Sequence, residues 1–110
     1  MARINVEFYD KKYTIEFDRE STKEFFKIRK DFNKETKDPL DKTRQLIDLI
    51  KCGLMKHHAD DMPSDDEVFG WVLAMGEDAK PFMEALVDMI NEIMQTVQTD
   101  RKNFHWGKAN

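Results

Sequence analysis

One cysteine, Cys52, stands in a chain of 110 residues. That excludes an intrachain disulfide and the bridge-dense frameworks of small secreted domains, so a reducing compartment is the expected setting. The four glycines are scattered, at positions 53, 70, 76 and 107. Dinucleotide fingerprints and phosphate loops need clustered glycines, so no cofactor box is expected. No stretch approaches the roughly 18 uninterrupted apolar residues of a membrane span. Residues 1–10 also lack an apolar export segment. The expected location is the cytoplasm, with no membrane partner.

What is present suits one globular domain. Hydrophobic residues make up 40% of the chain, including eight Phe, seven Met and two Trp, and 36% of residues are charged. This supplies a core and a well-solvated exterior. The net charge of −4 is unevenly placed: residues 19–37 hold seven basic and four acidic side chains, whereas 60–92 hold ten acidic and one basic. Overall acidity argues against phosphate-backbone binding, because nucleic-acid affinity comes from clustered Lys and Arg. The polarity between the two regions would suit a homo-oligomer packed head to tail.

The periodicity predicts an α+β fold, mainly α: a two-stranded N-terminal β-hairpin followed by about four helices in a small bundle. Over residues 3–17, Ile4, Val6 and Phe8 alternate with polar neighbours, as do Tyr13, Ile15 and Phe17, with Asp10-Lys11-Lys12 as the loop between. The first helix is expected over 22–36, capped by Ser21 with Glu24 three residues on, and lined by Phe25, Ile28 and Phe32. Asp38-Pro39 opens a second over 39–58 with Leu40, Leu46, Ile47, Ile50 and Leu54 on one face. Ser64 and Glu67 repeat the capping spacing ahead of a third over 65–75, with Val68, Phe69, Val72 and Leu73, ended by Gly76. A fourth over 81–98 carries Phe82, Met83, Leu86, Val87, Met89, Ile90, Ile93, Met94 and Val97. These fill a sector roughly 160° wide, more than the ~100° of a single buried stripe. Residues 1–100 are thus expected to form the domain and 101–110 a basic tail carrying Phe104 and Trp106.

Catalytic or metal chemistry finds simpler explanations. His57-His58 with Asp60 and Asp61 has metal-ligand types, but adjacent helical side chains point about 100° apart and do not converge on one ion. Cations near a helix C-terminus account for them. Asp65-Asp66-Glu67 falls in a helix's first turn, where acids stabilise the helix dipole. Cys52 is expected on the side of the second helix away from its apolar stripe, with no base or elbow motif beside it. No catalytic residue and no metal site is assigned. The tail Arg101-Lys102-Asn103-Phe104-His105-Trp106 allows three uses: folding back on the hairpin, anchoring in a partner's groove, or stacking single-stranded bases.

Several features taken together resemble the tail assembly chaperones of long-tailed bacteriophages infecting Gram-positive hosts. They are the strand pair over 3–17, Phe25 and Phe26 in the first helix, the acidic start at 64–67, the run Phe82-Met83-Glu84-Ala85-Leu86-Val87-Asp88-Met89-Ile90, and the tail Asn103-Phe104-His105-Trp106. The resemblance implies a non-catalytic protein that coats the tape-measure protein, recruits tail-tube subunits and is absent from the finished virion. Phe82, Met83, Leu86, Val87, Ile90, Met94, Phe104 and Trp106 are then the expected partner-binding residues. Alternatives are another morphogenesis component, such as a head–tail connector subunit, and a small regulator binding single-stranded nucleic acid through the tail.

Overall fold

A computed structural model of the chain describes residues 3–29, 38–103, 105 and 107, those of 97–102 by backbone alone. Strands β1 (Ile4–Phe8) and β2 (Lys11–Ile15) pair antiparallel, with Ile4 opposite Ile15 and Val6 opposite Tyr13. The loop is Tyr9-Asp10, both at positive φ (49° and 55°). Two consecutive positive-φ residues are what a type I′ hairpin requires, so Lys11 and Lys12 belong to the strand rather than to the expected loop.

Helix α1 (Arg19–Ile28) begins three residues before the expected start. Its cap is Asp18, which accepts from the Ser21 N–H at 2.9 Å, while the Ser21 hydroxyl accepts from the Asp18 N–H at 2.8 Å. The capping box is real, but Ser21 is its inner member. A carboxylate at 18 caps the helix three residues earlier than a hydroxyl at 21 would. The helix ends at Ile28, earlier than 36, because Arg29 leaves helical backbone at φ −116°, ψ 76°. Phe32 lies outside the described residues. Arg29 then holds α1 to α2 (Pro39–His58) through Asp41 at 3.2 Å and Asp48 at 3.0 Å.

Helix α2 begins as expected, with Asp38 accepting from the Leu40 N–H at 3.0 Å and Pro39 in the first turn. It is the hub of the fold, touching β2, α1, α3 and α4. Its buried face is accordingly broad: Leu46, Leu49, Ile50, Cys52 and Leu54 are all closed off. Cys52 is therefore a core residue, contrary to the expectation of an outward side chain. Burial, with the charges of Asp48 and Glu24 adding to it, pushes its thiol pKa up to about 12. Leu40, expected on the apolar stripe, is exposed at the helix start.

Gly53 lets β2 approach α2 closely. A Cβ there would lie 2.5 Å from Ile15 Cγ2, and the Gly53 carbonyl accepts the Glu16 N–H at 2.9 Å. Helix α3 (Asp65–Met75) follows, capped by Ser64, and a single 3₁₀ turn (Gly76–Asp78) leads without a loop into α4 (Ala79–Asn103). The third and fourth helices thus form one bent helical run, giving three such runs among the described residues. The bend sits at Gly76, whose φ of 56° and ψ of −122° suit glycine alone. Pro81 falls in the first turn of α4, where its missing N–H costs nothing. The helix continues five residues past 98, since the polar segment that follows contains no breaker.

The core gathers Tyr13 and Ile15 from the hairpin, Phe17 from the segment that follows it, Phe25 from α1, the α2 face, Val68 and Trp71 from α3, and four residues of α4. Trp71 packs on Tyr13 with ring centroids 5.0 Å apart. No helix among the described residues is long and apolar enough to cross a membrane.

Candidate functional site

The wide apolar sector of α4 resolves into two adjacent stripes, each with the i, i+4, i+7, i+11 spacing that lines one side of a helix. The inner stripe is Phe82, Leu86, Met89 and Ile93, the last three buried and Phe82 packed against the core. The outer stripe, rotated by about one residue's ~100°, is Met83, Val87, Ile90 and Met94. Ile90 is 1% exposed, Met83 and Val87 are half-buried, and Met94 is 39% exposed. A third stripe with the same spacing, Glu84, Asp88, Asn91 and Gln95, is exposed and begins with two acids.

This divides the expected partner-binding residues. Leu86, at 0% exposure, and Ile90 are held by the chain's own core. Phe82 lies mainly on the core side. Met83, Val87 and Met94 form a seam along the core's margin, with apolar surface turned partly to solvent. Phe104 and Trp106 lie outside the described residues.

A second exposed apolar pair was not anticipated. The face of α3 expected to be buried was Val68, Phe69, Val72 and Leu73, but Trp71 takes the inward position beside Val68. Phe69 is left partly exposed and Leu73 is 66% exposed. The signal was present in the sequence: residues 68–75 contain no polar side chain. A surface helix can bury only one side of such a run.

The polar clusters are structural in their geometry. Glu16, 2% exposed, receives Arg3 Nε at 2.5 Å on one oxygen and the Lys56 ammonium on the other, with His57 Nε2 at 3.3 Å. The Lys56 hydrogen bond leads in holding its pKa down at about 2, against the opposing effect of burial. His58 is turned elsewhere. Its Nε2 accepts the Thr14 N–H at 2.9 Å, which leaves the proton on Nδ1 to donate to Asp61 at 3.1 Å. The adjacent histidines therefore serve different partners, and no group of three metal-ligating side chains converges among the described residues. Asp65, Asp66 and Glu67 lie exposed in the first turn of α3, and Lys51 reaches Asp65 at 2.6 Å. An open depression beside the hairpin sets Lys11 and Lys12 against Asp61 and Glu67, a mixed lining that selects no charge of ligand.

Compared with known proteins, the chain matches no family model, no curated protein and no solved structure.

Proposed function

We propose that this chain is a non-catalytic tail assembly chaperone of a long-tailed bacteriophage, binding the tape-measure protein and helping to recruit tail-tube subunits in the host cytoplasm. The observation that carries the reading is the outer stripe of α4, an apolar seam one helix face wide, bordered by Glu84 and Asp88. A helix of the partner with its own apolar stripe would lay that stripe along Met83, Val87 and Met94, as helix-in-groove contacts do. Basic residues flanking it would meet the acidic border, which sets encounter rate and specificity more than affinity.

Co-expression with the long tape-measure protein encoded nearby tests this. The chain should co-purify with it and keep it soluble, and Val87→Glu or Met94→Glu should abolish both effects while leaving the helical circular dichroism unchanged. A wild-type chain that neither co-purifies with nor solubilises the tape-measure protein overturns the proposal. So does its presence in purified virions, which a head–tail connector subunit would show.

A further inference from the structure

The two outer edges of the hairpin are treated differently. In this register Phe8 and Lys11 close the turn as a hydrogen-bonded pair, so the even residues of β1 direct their backbone groups to β2 and Asn5 and Glu7 direct theirs outward. On β2 the outward positions are used: the Thr14 N–H goes to His58 and the Glu16 N–H to Gly53 of α2. On β1 they are not. Among the described residues no group bonds to the outward backbone of Asn5 or Glu7, and the sheet ends there.

Such an edge invites another strand unless charged side chains, a proline or a bulge protect it. Residues 3–7 hold no lysine, proline or bulge, and their two charges, Arg3 and Glu7, are of opposite sign. The segment Arg3-Ile4-Asn5-Val6-Glu7 is instead complementary to its own reverse. Placed antiparallel to a second copy about a two-fold axis at Asn5, it sets Arg3 opposite Glu7 of the copy at both ends. Ile4 then stands beside Val6, and Asn5 faces Asn5. The parity is right as well, because residues 3, 5 and 7 carry the outward backbone groups and pair only with one another, giving about six interchain hydrogen bonds. Arg3 keeps its side chain 62% exposed despite its bond to Glu16, so it remains available to the copy. On the other face Ile4, Val6 and Phe8 are only half-buried and would extend one apolar sheet surface across the axis.

We propose that the free edge of β1 is the site of homodimerisation, joining two hairpins into a continuous four-stranded antiparallel sheet with residues 3–7 as the self-recognising strand. The proposal is independent of the chaperone reading. A five-residue edge falls short of the ~1,200 Å² of a tight interface, so the dimer is a weak one whose population rises with concentration.

Sedimentation equilibrium across a concentration series reads this directly. The wild-type chain should show a monomer–dimer equilibrium. Asn5→Pro removes the donor on the axis without removing a backbone hydrogen bond inside the hairpin, its one loss there being the exposed Thr14 hydroxyl's bond to Asn5 Oδ1 at 3.3 Å, and should leave only monomer. Glu7→Gln removes both interchain charge pairs and should raise the dimer Kd about fivefold. If Asn5→Pro fails to fold, Asn5→Cys decides: the shortest bismaleimide should join two copies through residue 5, Lys12→Cys should give no such product, and buried Cys52 should stay unmodified. A wild-type chain that remains monomeric at every concentration overturns the proposal. A dimer that survives a folded Asn5→Pro, or that Asn5→Cys does not crosslink, overturns it equally.

Discussion

The junction between the hairpin and α2 and the junction between α4 and the core are built on different terms. In the first, backbone, charge and shape are all matched: Gly53 makes room for Ile15 and accepts from Glu16, the Glu16 carboxylate meets Arg3, Lys56 and His57, and His58 secures Thr14. In the second, apolar side chains do nearly all the work. One stripe of α4 is covered and its neighbour is left at the margin. Directional contacts admit one arrangement and leave little for a partner to replace, whereas an apolar seam accepts any complementary surface.

The strongest way to probe this difference is to cut into the covered stripe. Leu86→Ala should cost about 3 kcal/mol, the usual toll of truncating a fully buried leucine, and denaturant unfolding will register it. An outcome near zero would mean that α4 is not anchored through its inner stripe.

Glycine provides a smaller and sharper contrast. Alanine at Gly53 gains about 1 kcal/mol of helix propensity but drives a methyl into Ile15 and Phe17, and overpacking of that kind costs about 1–3 kcal/mol. We expect a net loss of about 1 kcal/mol. Alanine at Gly70, in the interior of α3 with nothing within 4 Å of a new Cβ, should instead gain about 0.5–1 kcal/mol. Equal effects at the two sites would deny that Gly53 is a contact point.

Glu16 tests the electrostatic half of the first junction. Its folded pKa, about 2, lies below the ordinary 4.5, so the charged form is the one the fold favours. The stability it contributes is fully present above pH 4.5 and is lost as the pH falls from there toward 2. Glu16→Gln should accordingly be less stable than wild type at neutral pH, and the two stability curves should draw together across that acid interval. A constant difference down to pH 2 would assign the effect to packing rather than charge.

Much of this architecture was legible in the residues themselves. Alternation at Ile4, Val6, Phe8, Tyr13 and Ile15 gave the hairpin, and Asp38-Pro39, Ser64 and Gly76 gave three helix ends, because caps and breakers act within a turn of the chain. What escaped detection depends on contacts distant in sequence. Glu16 looks like any outward residue of an alternating strand until Lys56 and His57 close over it from forty residues away. Cys52 and Trp71 turn inward because α2 and α3 each serve more than one neighbour, which a single-stripe expectation does not foresee. The seam on α4 was half legible: the breadth of its apolar sector was visible, but which stripe the core would take depended on where α1 and α2 approach it.

That division makes Met94 the most delicate test, because its expected effect on stability is the smallest. At 39% exposure on the outer stripe it contributes little to the core, so Met94→Ser should shift stability by no more than about 0.5 kcal/mol. Leu86, eight residues earlier and on the neighbouring stripe, should cost several times more. The ratio between them carries the information. If the outer stripe merely completes the core, Met94→Ser will destabilise on the scale of a buried methionine and partner retention will fall only as far as folding does. If the stripe serves a partner, the thermal midpoint will hold while co-purification with the tape-measure protein drops, and Met83→Ser will reproduce that separation one end further along the same seam.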